Sequence, residues 1–155
     1  MIKFILLFLI SLLSFYHAGA KNIIDAISEN QRLLKLSEFI DTSELSDNLL
    51  EYENLTLFAP LDDAFAALSA KTYYGYLKQG NRDKLQNLIN FHFVEGIYTS
   101  GNIDDVIVAR SFNNLDLEIK KINGILYVNG AEVVEADIKF SNGVIHLINR
   151  VLIPK

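Results

Sequence analysis

The chain has 155 residues, half of them apolar, with 14 basic and 19 acidic side chains and no cysteine. That is one domain's worth of chain, with enough apolar material for a core without staples. The lack of cysteine excludes disulfides, thiolate metal sites, a cysteine nucleophile and a lipidated-cysteine anchor; the acidic balance, with no basic stripe, excludes nucleic acid and anionic membrane as partners.

The first twenty residues read as an export signal. Lys3 precedes an apolar run from Phe4 to Leu13 broken only by Ser11, and Ala18-Gly19-Ala20 is a small-x-small cleavage site. The run is short beside the ~20 residues of a membrane span. Cleavage starts the mature protein at Lys21 and leaves a single domain over 21–155 with 13 basic and 19 acidic side chains, since Lys3 is lost. Retention of the segment as an N-terminal anchor is the other reading.

Residues 22–50 carry helical spacing. Ile23, Ile24 and Ile27 share one face, Leu33, Leu36 and Ile40 another, and Asn30 separates the two helices. Asp41-Thr42-Ser43 reads as a capped turn, and Leu45, Leu49 and Leu50 begin a further apolar face. Leu55 to Ala59 is a short strand buried on both faces, ended by Pro60, which cannot donate to a ladder. Asp62 is placed to cap the next helix and Asp63 puts charge in its first turn; Leu61, Phe65 and Leu68 form its apolar face. Asn54-Leu55-Thr56 is a glycosylation sequon. Residues 69–92 continue helical, with Tyr73, Tyr74 and Tyr76 clustered around Gly75. Tyrosine combines apolar area with a polar tip, so these three are either a contact surface or partly core. Leu85, Leu88, Ile89 and His92 fall on one apolar face, where a lone histidine is more often a satisfied structural residue than a ligand or catalyst.

From residue 93 the texture changes to strands: Phe93–Tyr98, Val106–Phe112, Leu115–Ile122, Ile125–Val128, Glu132–Phe140 and Val144–Ile153. Leu115, Leu117 and Ile119 alternate with Asp116, Glu118 and Lys120, the pattern of a half-buried strand. Asn123-Gly124, Asn129-Gly130 and Asn142-Gly143 lie between apolar runs, and both residues of Asn-Gly tolerate positive φ, so these are hairpin or tight-turn signals. Helices bunched early and strands late predict an α+β fold with a mainly antiparallel sheet.

Three blocks resemble the fasciclin (FAS1) domain family. They are Thr56-Leu57-Phe58-Ala59-Pro60 with the following Asp62-Asp63 and Phe65, then Leu88 to Gly96 around Phe91-His92, and Asn142 to Pro154 around Gly143, His146 and Asn149. Their order and spacing resemble the family's over about residues 22–154. The resemblance implies a sheet wedge or sandwich with helices packed along one side. It makes Phe58, Pro60, Asp62, Phe65, Phe91, His92, Gly143, His146 and Asn149 structural motif residues. Phe91 stands where the family typically has tyrosine, so a phenol hydrogen bond is lost, and Asn149 replaces a common aspartate and loses its charge. The family is associated with cell adhesion and extracellular matrix. Asp137-Ile138 matches a pair assigned in matrix members to receptor contact, although its neighbours are Ala136 and Lys139 in place of proline and methionine.

No catalytic or cofactor signature stands out. Asp62-Asp63 and Asp104-Asp105 are explained by a helix start and a polar turn, and His92 and His146 lack zinc-site spacing. No nucleophile elbow, P-loop or dinucleotide fingerprint occurs. The expectation is a secreted binding module, extracellular or periplasmic, without cofactor, metal or turnover. It meets a protein or glycan through Tyr73, Tyr74, Tyr76, Asp137 and Ile138, with no membrane insertion after signal cleavage. A small apolar ligand binder and, behind it, an unrecognised hydrolase are the alternatives.

Overall fold

The computed structural model describes residues 20–155; the export segment therefore lies almost wholly outside the described residues. Helices α1 (Ile23–Glu29), α2 (Leu34–Ser43) and α3 (Ser46–Leu50) lead into strand β1 (Leu55–Pro60). Three helices follow, α4 (Asp62–Phe65), α5 (Ala70–Tyr76) and α6 (Arg82–Asn90). Then come β2 (Phe93–Glu95), β3 (Val106–Arg110), β4 (Asp116–Ile122), β5 (Ile125–Val128), β6 (Ala131–Phe140) and β7 (Gly143–Ile148).

These seven strands form one sheet in the order β2-β1-β7-β6-β5-β4-β3. Only β1 and β7 run parallel, with Leu55 opposite Gly143 and Pro60 opposite Ile148; the other neighbours are antiparallel. Every residue of β1 and β7 is buried, as expected of a parallel pair covered on both faces. Their side chains alternate between two cores. Leu55, Leu57, Ala59, Ile145 and Leu147 face Ile27, Leu36 and Phe39 of the helices. Phe58 and Ile148 join Leu117, Ile119 and Val128 in the second core. The ladder of β6 on β7 is interrupted on both sides of Glu135, and Asp137 takes a φ of 63° there. Such bulges bend and twist a strand. The sheet folds over until its two ends meet: Val94 bridges Ser111, and the Phe112 N–H donates to the Phe93 carbonyl at 3.0 Å. The α+β wedge with helices along one side is the fold the sequence implies.

Several local expectations change. Asp41 to Ser43 is helical, and the reversal falls on Glu44, whose φ is 60°. Leu50 faces solvent. Residues 69–92 are two helices, broken where Gly80 takes a φ of 95°. The helix after Pro60 is only Asp62–Phe65, and Asp62 does not cap it. Its Oδ1 instead accepts the Lys35 N–H at 2.8 Å, in the first turn of α2, whose own N-cap residue, Leu33, has no side chain able to do so. Two Asn-Gly pairs make the expected turns, with φ of 50° and 81° at Asn123 and Gly124, and 45° and 77° at Asn129 and Gly130. The third does not: neither Asn142 nor Gly143 has positive φ. Gly143 is needed there for space, since a Cβ on it would lie 2.2 Å from the Leu55 carbonyl oxygen.

Candidate functional site

The two histidines of the motif blocks are both buried, and both are consumed by the backbone. His92 follows α6 at 1 % exposure. The Leu152 N–H donates to its Nε2 at 3.0 Å, so the proton is on Nδ1, which donates to the Leu88 carbonyl at 2.8 Å. Burial lowers its pKa from 6.5 to about 4, against the opposing pull of the Leu88 carbonyl. His146 on β7 uses the other tautomer. The Asp137 N–H donates to Nδ1 at 3.2 Å, and Nε2 donates to the Tyr98 carbonyl at 2.6 Å. Burial also lowers its pKa, against the Tyr98 carbonyl and the Asp137 charge. Its ring stacks on Phe58 at 5.5 Å. Neither ring has a free nitrogen for a metal or a proton transfer.

Asp137 and Ile138 lie in the bulged part of β6. The Asp137 carboxylate accepts the Ser100 N–H at 2.8 Å and the Ser100 hydroxyl. Burial would raise its pKa, but these two bonds, together with the nearby His146 and Lys139, hold it below the ordinary carboxylate value. Ile138 is half-buried and packs on the helix-side core. The pair therefore anchors the loop after β2 as well as facing outward in part. Asn149 accepts the Glu132 N–H at 2.9 Å, a neutral bond where an aspartate would bring charge. Phe58, Phe65, Phe91 and Gly143 are buried, and Pro60 is the last residue of β1. Of the sequon, Asn54 is exposed and Thr56 is buried, its hydroxyl donating to the Gly96 carbonyl at 2.7 Å and accepting the Tyr98 N–H at 2.9 Å.

The three tyrosines divide. Tyr73 packs on Phe39 at 5.0 Å and donates its phenol to Glu38 Oε2 at 2.6 Å. Burial, and then Glu38, raise its pKa; burial raises that of Tyr76, which packs 6.1 Å from Phe39. Tyr74 meets the Tyr73 ring edge to face at 5.3 Å and is 62 % exposed. Lys35 Nζ lies 5.9 Å from the Tyr73 ring centre. Tyr74, Glu38 and Lys35 thus offer an aromatic face and both signs of charge, with the Lys35 Nζ also donating to the Asp62 carbonyl at 3.3 Å.

Open grooves cross the surface of the described residues, and two of them carry aromatic floors. One of about 600 Å³ runs over Phe91, Leu115 and Leu152 with Asp116, Glu118 and Arg150 on its rim. Another of about 630 Å³ is floored by Tyr52 and Phe112, whose rings are 4.6 Å apart, and edged by Asn90, Glu95 and Arg110. No cluster of three or more His, Asp and Glu able to hold a metal occurs among the described residues. Sequence reasoning missed Asn142, Thr56 and Ser100, whose side chains join segments far apart in the chain. Asn142 had a signal in its Asn-Gly dipeptide, which pointed to a turn and not to its acceptor role for the Ile23 N–H, and Thr56 had one in the sequon and the first motif block, which did not point to its bonds to Gly96 and Tyr98; Ser100 had none.

A family model described as the Fasciclin domain matches residues 31–154. Protein sll1483 of Synechocystis sp. is 36 % identical over 136 residues, covering 88 % of this chain and 75 % of that protein. The transforming growth factor-beta-induced protein ig-h3 of Sus scrofa is 33 % identical over 85 % of this chain, which spans 19 % of that protein's length. The solved FAS1 domain pair of the insect cell adhesion molecule fasciclin I aligns with a TM-score of 0.56 at 20 % identity, over 76 % of this chain and 45 % of that one. That likeness is one of fold.

Proposed function

This chain belongs to the fasciclin domain family, and on that premise we propose that it is an exported binding module. It meets a protein or glycan outside the cytoplasm, in an adhesive or matrix-like role, without turnover or cofactor. The observation that carries this reading is where the polar groups are spent. His92, His146 and Asp137 are taken by the chain's own backbone and by Ser100, while Tyr74 stands in solvent on a rigid aromatic base of Tyr73, Phe39 and Phe65. A tyrosine so backed offers contact area with little side-chain freedom to lose.

The Tyr73–Tyr76 face is the leading contact surface, and Glu135–Lys139 with Asp137 and Ile138 is the second. The export segment, Met1–Ala20, supports delivery across a membrane, and intact mass of the exported protein tests it: a chain beginning at Lys21 is expected, and one retaining Met1 would overturn cleavage. The binding test captures a partner from the host's envelope or matrix fraction and titrates it. Tyr74→Ala is expected to weaken saturable binding by about 1–2 kcal/mol at unchanged thermal stability. Saturable binding indifferent to Tyr74, Asp137 and Ile138 would refute the surfaces, and cofactor-dependent turnover of a small substrate would refute the class.

A further inference from the structure

We propose that the β3 edge of the sheet is a self-pairing surface, at which two copies of this chain join as an antiparallel β-ladder centred on Ile107. The sheet has two edge strands and treats them differently. β2 is three residues long, and Val94 seals it against Ser111. β3, at the other edge, hydrogen-bonds only to β4 over Val106–Arg110 among the described residues.

The bonds to β4 fix which backbone groups are free. The Lys121 N–H donates to the Asp105 carbonyl at 3.0 Å, and the Ser111 N–H to the Leu115 carbonyl at 2.9 Å. The odd-numbered residues of β3 therefore bond β4, and Val106 and Val108 aim their N–H and C=O groups away from it. Their side chains are exposed as well, Val108 at 65 % and Val106 at 50 %. Soluble proteins usually guard such an edge with proline, lysine, a bulge or a cover. Val106-Ile107-Val108-Ala109-Arg110 has no proline, lysine or glycine, and its register with β4 is unbroken.

The surroundings of β3 select the occupant and the register. Because β2 lies beside Ser111 at one end, an added strand can run along Asp105–Ala109 and no further. Antiparallel pairing of that stretch with itself places Ile107 opposite Ile107 and Val106 opposite Val108. The strand is acidic before its start, at Asp104-Asp105, and basic at its end, at Arg110, whose guanidinium also pairs with Asp116 at 3.2 Å in its own chain; all three are exposed. Self-pairing brings the acidic end of each copy to the basic end of the other. Main-chain bonds supply the attraction and the valine pairs the side-chain contact. A short ladder buries less than a standard interface, so a weak dimer is expected.

Sedimentation analysis of the purified protein from about 10 µM to about 1 mM, the range of a weak interface, reads this directly. The wild type is expected to dimerise with concentration. Val108→Lys should raise the dissociation constant at least tenfold with an unchanged circular dichroism spectrum, while Val134→Lys, at another exposed valine on β6, should not. The chain has no cysteine, so single cysteines report register. A mixture of Val106→Cys and Val108→Cys should give a disulfide-linked heterodimer, since facing residues lie about 5.5 Å apart, and neither variant should cross-link to itself. A wild type that stays monomeric throughout, a dimer untouched by Val108→Lys, or one abolished by Val134→Lys would overturn the proposal.

Discussion

His92 and His146 are neutral for one reason and by opposite tautomers, and in each a backbone N–H donates to one ring nitrogen. Protonation would set N–H against N–H and put a charge in the core. Both folded pKa values lie below 6.5, so the stability these residues contribute is fully present above about pH 6.5 and is lost as pH falls, for His92 down to about 4. His92 alone accounts for roughly 3 kcal/mol over that window. Asp137 is also depressed, but it titrates lower, so its contribution is lost below the histidine window. The urea midpoint should drop steadily from pH 7 to pH 4.5 and the slope should lessen in His92→Gln; a flat midpoint would sink this account. Two glycines give opposite signs. Gly143→Ala drives a Cβ into the Leu55 carbonyl and the Ile23 side chain and should destabilise by about 3 kcal/mol. Gly75 in α5 has open space and no positive φ, so Gly75→Ala should stabilise by about 0.5–1 kcal/mol. Thermal unfolding of the pair checks both; equal shifts would refute the steric argument. In the sequence, Gly143 looked like a turn residue because Asn-Gly usually is one. The Leu55 carbonyl that requires it is 88 positions away and leaves no local trace.

Helix α2 depends on a residue 27 positions downstream. Its N-cap residue is Leu33, and the carboxylate that accepts the Lys35 N–H belongs to Asp62 at the corner after β1, where the Asp62 N–H in turn donates to the Arg32 carbonyl at 2.9 Å. The reciprocal pair ties the entry of α2 to the end of the central strand. Asp62→Ala should cost about 1 kcal/mol through α2, and Asp63→Ala, exposed and unbonded to another helix start, less than about 0.5 kcal/mol. Denaturant midpoints of the two variants decide it: equal losses would mean that only the first-turn charge of α4 matters. Residue type and position made Asp62 legible as a cap. Which helix it caps was not legible, because capping needs only an oxygen near a free N–H, and sequence neighbours are the nearest candidates only in the absence of a fold. Strand lengths show the same limit: Tyr98, Phe112 and Ile153 fit the pattern of strands yet fall outside them, where the backbone turns to serve Thr56, Phe93 and the C-terminal segment.

Across the whole molecule, protection should follow the two cores. β1 and β7 are buried at every position and separate the helix-side core from the sheet-side core, whereas α5 buries no residue and β3 has a free edge. Hydrogen exchange should be slowest in Leu55–Ala59 and Val144–Ile148 and fastest, within regular elements, in α5. Exchange from α5 as slow as from β7 would refute this ordering. At low concentration Val106 and Val108 amides should exchange quickly, and at high concentration the β3 pairing would slow them. The sequence by itself determined the α+β class, the six late strands, the apolar faces of the early helices, the family and the structural character of both motif histidines. Those features follow from apolar periodicity and local backbone preference, which act over a few residues. Only the tertiary structure decided which helix Asp62 caps, which tautomer each histidine holds, that Asp137 is bound by Ser100, that Tyr74 alone of its cluster stands in solvent, and that β3 is the open edge. Each of those depends on groups dozens of residues apart meeting at hydrogen-bonding distance, and a linear pattern carries no record of that.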